Sequence, residues 1–310
     1  MNTTTPRIII LGAGGFAGKM HAEVYARRGW TVYGVDPQVK PTVPLPPILW
    51  ADAVVDVCTP TAIHVESVLE AYRRGARRFI VEKPQANSFD EWSRLMEQLP
   101  GATVYGVHNY LWSEAFTRAQ DALGTIVAIE SAFDKDRSMD DRRARGGHHG
   151  RLAPVLHVEA PHQFAMALAV DSSLEVTDTI VEDDHGVSAA GLRRFASVDL
   201  QSPSGVRATL TTNLRAPRRR TLSLTDDRGY RAEVAFARAG LEPATMTVSA
   251  PDGSIVSTWA GVDDALGRNL GDAVRSFELG TSSAFLGAAF ATLVLRSLDA
   301  AEDRALQGAA

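Results

Sequence analysis

The apolar positions of the first 110 residues form short continuous runs, and helix-like or glycine-containing stretches separate them. We predict strands at 7–11, 31–35, 53–58, 78–81 and 103–108, because unbroken runs rich in Ile and Val are typical of parallel strands buried on both faces. Helices are predicted at 16–28, 63–74 and 88–99, the last beginning with the capping-box pair Ser88 and Glu91. A proline-rich stretch at 37–47 replaces a further helix. The alternation predicts a doubly wound parallel sheet.

The pattern changes after about residue 123. Strand-like segments follow at 127–133, 196–201, 206–214, 222–225, 232–236 and 246–250, with helices at 158–169, 270–279 and 283–306. The turn signals at 203–205 and 226–229 lie between neighbouring strands and therefore predict antiparallel pairing. We predict an α/β domain over 1–122 and an α+β domain with an open, mainly antiparallel sheet over 123–310. The last helix is free to pack back on the first domain.

A glycine-rich turn lies directly between the first predicted strand and the first predicted helix. Its register is open: Gly12, Gly14 and Ala17 fit G-x-G-x-x-G/A, whereas Gly12, Gly15 and Gly18 fit G-x-x-G-x-x-G. In either register the backbone can approach a pyrophosphate whose charge then lies at the helix N-terminus. This order of elements predicts a Rossmann dinucleotide-binding domain, with contacts from Gly12, Gly14, Gly15, Phe16 and Ala17.

Asp36 ends the second predicted strand at a spacing close to the roughly 20 residues expected for the acid that binds a ribose 2′-hydroxyl. A carboxylate there repels a 2′-phosphate, and Pro37 follows where an arginine could have bound one. NAD is therefore favoured over NADP.

The tripeptide Glu82-Lys83-Pro84 follows the fourth predicted strand. Ligands of open α/β sheets bind beyond the carboxyl ends of the strands, where a lysine can donate to a substrate oxygen and exchange a proton with it. The peptide bond before Pro84 is a candidate for cis geometry. We therefore predict Lys83 as an acid/base.

Composition narrows the class of protein. The net charge is −5 and the sequence has no stripe of basic residues, so nucleic acid is not an expected partner. No apolar run is long enough to span a membrane. The N-terminus lacks the apolar stretch of a signal peptide, and Cys58 is the single cysteine, so we expect a cytoplasmic protein in which Cys58 is a small buried residue. The charged stretch 134–150 predicts a loop, with two roles open: a solvated loop without a ligand, which is favoured, or a substrate lid in which Arg137 or Arg142 meets an acidic or polyhydroxyl substrate. We predict no metal site, since His148-His149 lacks a spaced carboxylate or cysteine.

Several motifs together resemble the glucose–fructose oxidoreductase / inositol dehydrogenase (Gfo/Idh/MocA) family over nearly the whole chain. They are the glycine turn followed by His21, the Thr59-Pro60-Thr61-Ala62-Ile63-His64 segment, Glu82-Lys83-Pro84, Val107-His108-Asn109-Tyr110 and the closing 269–280 segment. The resemblance implies an NAD(P)-dependent oxidoreductase that transfers a hydride between nicotinamide and a carbohydrate, cyclitol or related polyol or ketone. Lys83 would bridge the substrate hydroxyl and the cofactor ribose. Thr59, Pro60, His64 and Glu82 would line the nicotinamide side, with His21 structural.

The chain departs from the family in the substrate domain, where the usual pattern is Asp-x-Gly-x-His-x-x-Asp. If His162 holds the histidine position, Val158 and Ala160 stand where the aspartate and glycine belong. His162 is the predicted catalytic partner of Lys83. Asn109, Tyr110, His157 and Glu159 are predicted substrate residues, and either Glu159 or His157 could replace the aspartate.

Two other functions remain open from the sequence. An imine or enol reductase would use the same lysine and tolerate loss of the aspartate, and a non-catalytic nucleotide-binding sensor would keep only the first domain's role. The family also implies a polyhydroxylated small-molecule substrate and a homo-oligomer formed through the C-terminal sheet. The substrate, the reaction direction and the choice between dimer and tetramer are not determined. Arg218-Arg219-Arg220 is predicted to lie on a hairpin rim.

Overall fold

The computed structural model describes residues 5–37, 45–136, 154–182, 195–237, 243–281 and 283–307. Contacts divide the chain into two compact units, Met1–Asn109 with Leu266–Leu295, and Tyr110–Ala265 with Arg296–Ala310. The sequence places the boundary after residue 122 instead. None of the helices in the described ranges is long and apolar enough to cross a membrane.

The first unit contains a five-stranded parallel sheet in the order β2-β1-β3-β4-β5. Its strands are β1 Arg7–Leu11, β2 Thr31–Val35, β3 Val54–Val57, β4 Arg78–Val81 and β5 Thr103–Gly106. Its helices are α1 Phe16–Arg27, α2 Pro47–Asp52, α3 His64–Arg73 and α4 Phe89–Glu97, and a 3₁₀ turn, Thr61–Ile63, precedes α3. The predicted doubly wound parallel sheet is confirmed.

Local sequence explains most of these elements. Ile8, Ile9 and Ile10 of β1 are fully buried, as expected for a central strand covered on both faces. Ser88 Oγ accepts a hydrogen bond from Glu91 N over 3.2 Å and so caps α4. One prediction is wrong: α2 begins at the last proline of the stretch expected to lack a helix, because proline is tolerated in the first helical turn.

The segment 266–295 returns to the first unit. Gly106 N donates to Leu286 O over 2.9 Å, and Trp92 Nε1 donates to Thr292 Oγ1 over 3.1 Å. Trp92 is fully buried, so its indole N–H requires this partner. Late residues of the chain therefore complete the core beside β5.

The second unit contains an eight-stranded sheet in the order β13-β12-β11-β10-β6-β9-β8-β7, which is antiparallel except for the parallel pair β6 and β9. The strands are β6 Ile126–Asp134, β7 Glu175–Glu182, β8 Phe195–Gln201, β9 Arg207–Asn213, β10 Arg219–Asp226, β11 Arg231–Ala235, β12 Ala244–Ser249 and β13 Ile255–Gly261. Helices α5 Glu114–Asp121, α6 Pro154–Val158 and α7 Ala160–Val170 also belong to this unit. Helices α8 Ala265–Leu279 and α9 Ala288–Gln307 follow β13. The predicted open, mainly antiparallel sheet is confirmed.

The structure corrects the local assignments in this unit. The apolar pattern does not predict strands β7 and β13, because both are edge strands whose residues are largely exposed and lack a regular apolar alternation. The single helix expected at 158–169 is two helices that meet at Glu159. Strand β6 runs through the buried Asp134, so the charged stretch begins inside the sheet. Arg137, Arg142, His148 and His149 lie outside the described residues.

Candidate active site

The glycine turn lies at the switch point of the parallel sheet, where β1 is flanked by β2 on one side and β3 on the other. Gly12 has a φ of +82°, and a Cβ there would lie 2.6 Å from Cys58 O at the end of β3. A Cβ on Gly18 would clash with Gly12 O, so α1 also packs closely against this turn. Gly18 belongs only to the G-x-x-G-x-x-G register, which its close contact with Gly12 O favours. The first helix has Gly15 as its N-cap without a side-chain cap, which leaves its amides for an anion.

Replacing Gly12 with alanine should destabilise the protein by about 3 kcal/mol or more, because left-handed strain adds to a clash with backbone. Gly29 is the matched control. It has a φ of +73°, and a Cβ added there would have no other atom within 4 Å. Gly29→Ala should therefore cost only the strain, about 1–2 kcal/mol. Urea unfolding of both variants measures the difference, and equal losses would contradict the close approach of β1 and β3.

Asp36 and the glycine turn contact each other directly. Asp36 Oδ2 accepts a hydrogen bond from Gly14 N over 3.0 Å. The carboxylate therefore holds the middle of the turn in place from the end of β2. Asp36 and Gly14 are both half-buried, and Phe16 at the start of α1 is 81% exposed beside them.

Lys83 follows β4 at the carboxyl edge of the same sheet, and its peptide bond to Pro84 is cis. Glu82 Oε2 accepts a hydrogen bond from the Lys83 backbone N–H over 2.9 Å. Burial alone would raise the pKa of Glu82, but the hydrogen bond from His21 and the charges of His21 and Lys83 outweigh it and lower that pKa. Glu82 is therefore an anion that holds the main chain of the lysine.

His64 connects the turn after β3 with the turn after β4. Its Nε2 lies 2.6 Å from Thr59 O, and its Nδ1 lies 3.1 Å from Pro84 O. Burial lowers the pKa of His64, although both carbonyls and Glu82 oppose this by favouring the charged ring. Thr59 Oγ1 lies 3.2 Å from Ser67 Oγ. His64 thus fixes the predicted nicotinamide-side segment relative to the lysine turn.

His21 lies at the centre of a buried network. Its Nδ1 lies 2.7 Å from Asp56 Oδ2, and its Nε2 lies 3.0 Å from Glu82 Oε1. Tyr25 OH donates to the same Asp56 oxygen over 2.7 Å. Burial alone would lower the pKa of His21, but the charge of Asp56 leads the opposing effects, and the pKa is raised well above its ordinary value. Sequence reasoning identifies His21 as structural and does not identify Asp56.

Cys58 belongs to the same cluster but is not activated. Burial raises the pKa of its thiol to about 12, and the thiol donates to Asp56 Oδ1 over 3.6 Å. His21, Asp56 and Cys58 form a group with metal-type ligand atoms in the described ranges. A protonated thiol and an aspartate that already accepts several hydrogen bonds are typical of a hydrogen-bonded cluster.

The predicted residues of the second unit form a separate cluster around Tyr110. Arg220 donates to Tyr110 OH and, through Nη2, to Glu159 Oε2 over 2.9 Å. The His162 ring meets the Tyr110 ring edge to face at 4.8 Å. Burial leads the effects that raise the pKa of Tyr110, so its hydroxyl is protonated. Glu159, Tyr110 and His162 are therefore brought together.

Gln163 anchors the helix that carries His162. Its Nε2 donates to Ser131 O over 3.1 Å and to Thr211 O over 2.9 Å, and its Oε1 accepts from Thr212 Oγ1 over 2.8 Å. His157 is directed elsewhere: its Nε2 lies 2.6 Å from Glu302 Oε1 on the last helix. Between the two candidates for the missing aspartate, the structure thus places Glu159 in the Tyr110 cluster and His157 outside it.

Arg220 is the functional-site candidate that sequence reasoning misses. The sequence predicts a hairpin rim for Arg220 with Arg218 and Arg219, but its side chain is only 17% exposed and its guanidinium stacks on the rings of Tyr110 and Phe133. The rim prediction is therefore wrong for Arg220. The signal is the alternation of Arg220, Leu222 and Leu224, which places all three on one face of β10.

The predicted site residues are divided between the two units. Gly12, Gly14, Gly15, Phe16, Ala17, Asp36, Thr59, Pro60, His64, Glu82, Lys83 and Asn109 lie in the first unit, and Tyr110, His157, Glu159 and His162 lie in the second. Asn109 begins a 3₁₀ turn, Asn109–Trp112, after β5. Each unit therefore carries one part of the predicted site.

No protein-family model matches the sequence, and no curated protein matches it in sequence. The structure does match solved structures over nearly its whole length. UDP-N-acetylglucosamine 3-dehydrogenase GnnA from Acidithiobacillus ferrooxidans is 17% identical, with a TM-score of 0.79 over 97% of this chain and 98% of that chain. KijD10, a 3-ketoreductase from Actinomadura kijaniata in complex with NADP and TDP-benzene, is 14% identical, with a TM-score of 0.75 over 97% of this chain and 98% of that chain.

Levoglucosan dehydrogenase, in complex with NADH and L-sorbose, is 15% identical, with a TM-score of 0.76 over 98% of both chains. At these identities the likeness establishes a common fold. The resemblance predicted from the motifs is thereby confirmed for the architecture. The chain has the fold of the Gfo/Idh/MocA-type sugar oxidoreductases.

Proposed function

We propose that this protein is an NAD(P)-dependent oxidoreductase of the Gfo/Idh/MocA family. The observation that carries the proposal is the position of Lys83 at the carboxyl edge of a parallel sheet whose switch point holds a close-packed glycine turn. The uncapped start of α1 fits a dinucleotide, because it leaves the first backbone amides of the helix accessible to a pyrophosphate. Gly12, Gly14, Gly15, Phe16, Ala17 and Asp36 would hold it.

The substrate that we propose is a carbohydrate, cyclitol or related polyol or ketone. The names of the three similar structures support this class, since they are dehydrogenases or a ketoreductase, and one is complexed with a sugar. The cofactor supplies hydride transfer to or from carbon. Lys83 Nζ takes the hydroxyl proton when the substrate is oxidised and returns it when the carbonyl is reduced.

The proposed substrate side lies in the second unit. His162 is the partner that exchanges this proton with Lys83, and Tyr110 and Glu159 contact the substrate, with Asn109 of the first unit. Glu159 is favoured over His157 as the replacement of the family's aspartate, because Glu159 joins the Tyr110 cluster through Arg220. In this arrangement residues 1–122 bind the nucleotide and supply Lys83, Asn109 and Tyr110 to the reaction, and residues 123–310 supply the other substrate contacts.

Asp36 provides the first test, through the preference for NAD over NADP. Wild-type protein should bind NADH more tightly than NADPH, because the carboxylate repels a 2′-phosphate. Asp36→Ala should weaken NADH binding by about tenfold, since a ribose hydrogen bond to a charged group contributes ~1.5 kcal/mol. Calorimetric titration with each cofactor measures both effects.

Asp52 gives a matched control for that titration. It is also an aspartate next to the end of a structural element of the first unit, but it is exposed and pairs with Arg7 at the opposite edge of the sheet. Asp52→Ala should leave NADH binding unchanged. Tighter binding of NADPH by the wild type would overturn the cofactor preference alone, whereas no binding of either cofactor would overturn the proposed function.

A nucleotide-binding sensor without redox activity is the second candidate. Val158 has no proton to exchange where the family has an aspartate, and the neighbouring Glu159 is paired with Arg220. An imine or enol reductase would also be compatible with that change. Binding of NADH without turnover of any polyol, ketone or imine would favour the sensor.

We also propose self-association through the open face of the eight-stranded sheet. The exposed side chains there are polar and carry charges of both signs, among them Glu130, Asp199, Arg207 and Glu233. Such a surface can pair with its own copy through complementary charges. Light scattering of the same preparation gives the mass and decides between monomer, dimer and tetramer.

A further inference from the structure

His21 has no assigned chemistry, yet both of its ring nitrogens face carboxylates. A neutral imidazole has a single N–H, so one of Asp56 and Glu82 would then face a nitrogen lone pair at hydrogen-bond distance. The charged ring donates to both. Since His21 is 1% exposed and Asp56 is fully buried, water cannot relieve such a mismatch. These two contacts, together with the raised pKa of His21, favour the imidazolium form.

The network joins three segments that are distant in sequence. Tyr25 and His21 are on α1, Asp56 is on β3, and Glu82 follows β4. His21 Nδ1 contacts Asp56 Oδ2, which orients the ring toward Glu82, and Tyr25 OH donates to the same oxygen without contacting the ring nitrogens. The ring is thus oriented from one side and donates on the other.

Glu82 passes this restraint to the lysine turn. Its Oε1 contacts His21, while its Oε2 accepts the backbone N–H of Lys83 over 2.9 Å. A partly buried carboxylate that loses its cation turns toward solvent or takes up a proton. Either change would release the Lys83 amide and alter the direction of the lysine side chain.

We propose that His21 is a positioning residue for Lys83, acting through Glu82. This positioning role rests on the proposed function in one respect, that Lys83 is the acid/base. His21 supplies the buried positive charge that keeps Glu82 ionised and in one rotamer, and Glu82 holds the main chain at residue 83. The role is distinct from catalysis, because His21 acts on the reaction only by way of that carboxylate.

The test uses His21→Gln and Glu82→Gln, with Tyr25→Phe as the matched control. Tyr25→Phe removes a hydrogen bond from the same Asp56 oxygen but leaves His21 between its carboxylates. Amide hydrogen exchange at Lys83 should become about tenfold faster or more in the two glutamine variants and stay unchanged in Tyr25→Phe. In the same variants kcat should fall by at least about tenfold, with the KM for NADH changed by less than about threefold.

A second readout is the charge of the ring. Nitrogen-15 spectra of the wild type at pH 7.5 should show protons on both His21 nitrogens. Tyr25, Asp56, Cys58 and Glu82 face this ring, and the pKa of His21 is raised well above its ordinary value, with burial opposing and Asp56 leading the increase. The folded protein therefore keeps a proton that the unfolded chain loses above about pH 6.5. Stability should decrease as the pH rises, with the unfolding constant increasing about tenfold per pH unit up to the folded-state pKa.

The decrease of stability with rising pH should disappear in His21→Gln and remain in Tyr25→Phe. A neutral His21 ring at pH 7.5, or unchanged Lys83 exchange in Glu82→Gln, would overturn the proposal. If His21→Gln does not fold, Glu82→Gln and the wild-type ring spectrum still decide. A wild-type protein that turns over no substrate would remove the proposed function, while the exchange and ring measurements would continue to test the positioning.

Discussion

Lys83→Met should lower kcat by at least about 10²-fold while the protein still binds nicotinamide cofactor, because the variant keeps the length of the side chain but loses its exchangeable proton. Cofactor affinity should fall only by about fivefold, the loss of one hydrogen bond of ~1 kcal/mol to the ribose. Steady-state kinetics on a screen of sugars, cyclitols and their ketones, together with fluorescence titration of NADH, measures the two effects separately.

Lys83→Arg is the control that separates charge from proton transfer. Arginine keeps the positive charge but remains protonated throughout the accessible pH range. If Lys83 acts as acid/base, Lys83→Arg should be nearly as inactive as Lys83→Met. Activity close to wild type in Lys83→Arg would mean that charge alone suffices, and activity in Lys83→Met would remove Lys83 from the reaction.

Arg220→Met should reduce the free energy of unfolding by about 3–5 kcal/mol, because it leaves the Glu159 carboxylate buried without its cation. Glu159 is 3% exposed and its Oε2 contacts Arg220. The variant also loses the stacking of the guanidinium on Tyr110 and Phe133. Urea unfolding followed by fluorescence measures the loss.

Arg231 on the neighbouring strand provides the comparison. It pairs with Glu130 and Glu233, but all three side chains are well exposed to solvent. Arg231→Met should therefore cost less than about 1 kcal/mol. The double variant Glu159→Gln/Arg220→Met should recover part of the loss, since it removes the unpaired charge. No recovery, or equal losses at Arg220 and Arg231, would contradict a buried ion pair.

The first domain could be predicted well because its signals are local. The run 7–11, the glycine turn and Asp36 follow one another within a single β-α-β unit, so their order alone specifies the parallel architecture. The close contact of Gly18 with Gly12 O refines this and favours one glycine register. The peptide bond before Pro84, which the sequence makes a candidate for cis geometry, is cis in the structure.

Residues whose environment depends on distant segments could not be predicted in the same way. Asp56 stands in an apolar run, and nothing nearby in sequence indicates its contacts with His21 and Tyr25. Arg220 is hidden by the two arginines before it, which suggest an exposed surface. Strand β7 lies at a sheet edge and has polar residues on both faces. It therefore lacks the apolar alternation on which strand prediction depends. For Asp56 and β7 the missing information is tertiary, whereas Arg220 has a weak local signal in its alternation with Leu222 and Leu224.

His64 has a consequence for protein engineering. Because its ring nitrogens contact Thr59 O and Pro84 O, the turns that follow β3 and β4 hold each other in position. A graft that transfers only one of these turns from a related scaffold would leave the imidazole against a carbonyl at the wrong distance. Redesign of substrate preference should therefore exchange 59–64 and 82–85 together, or retain both and vary the second unit.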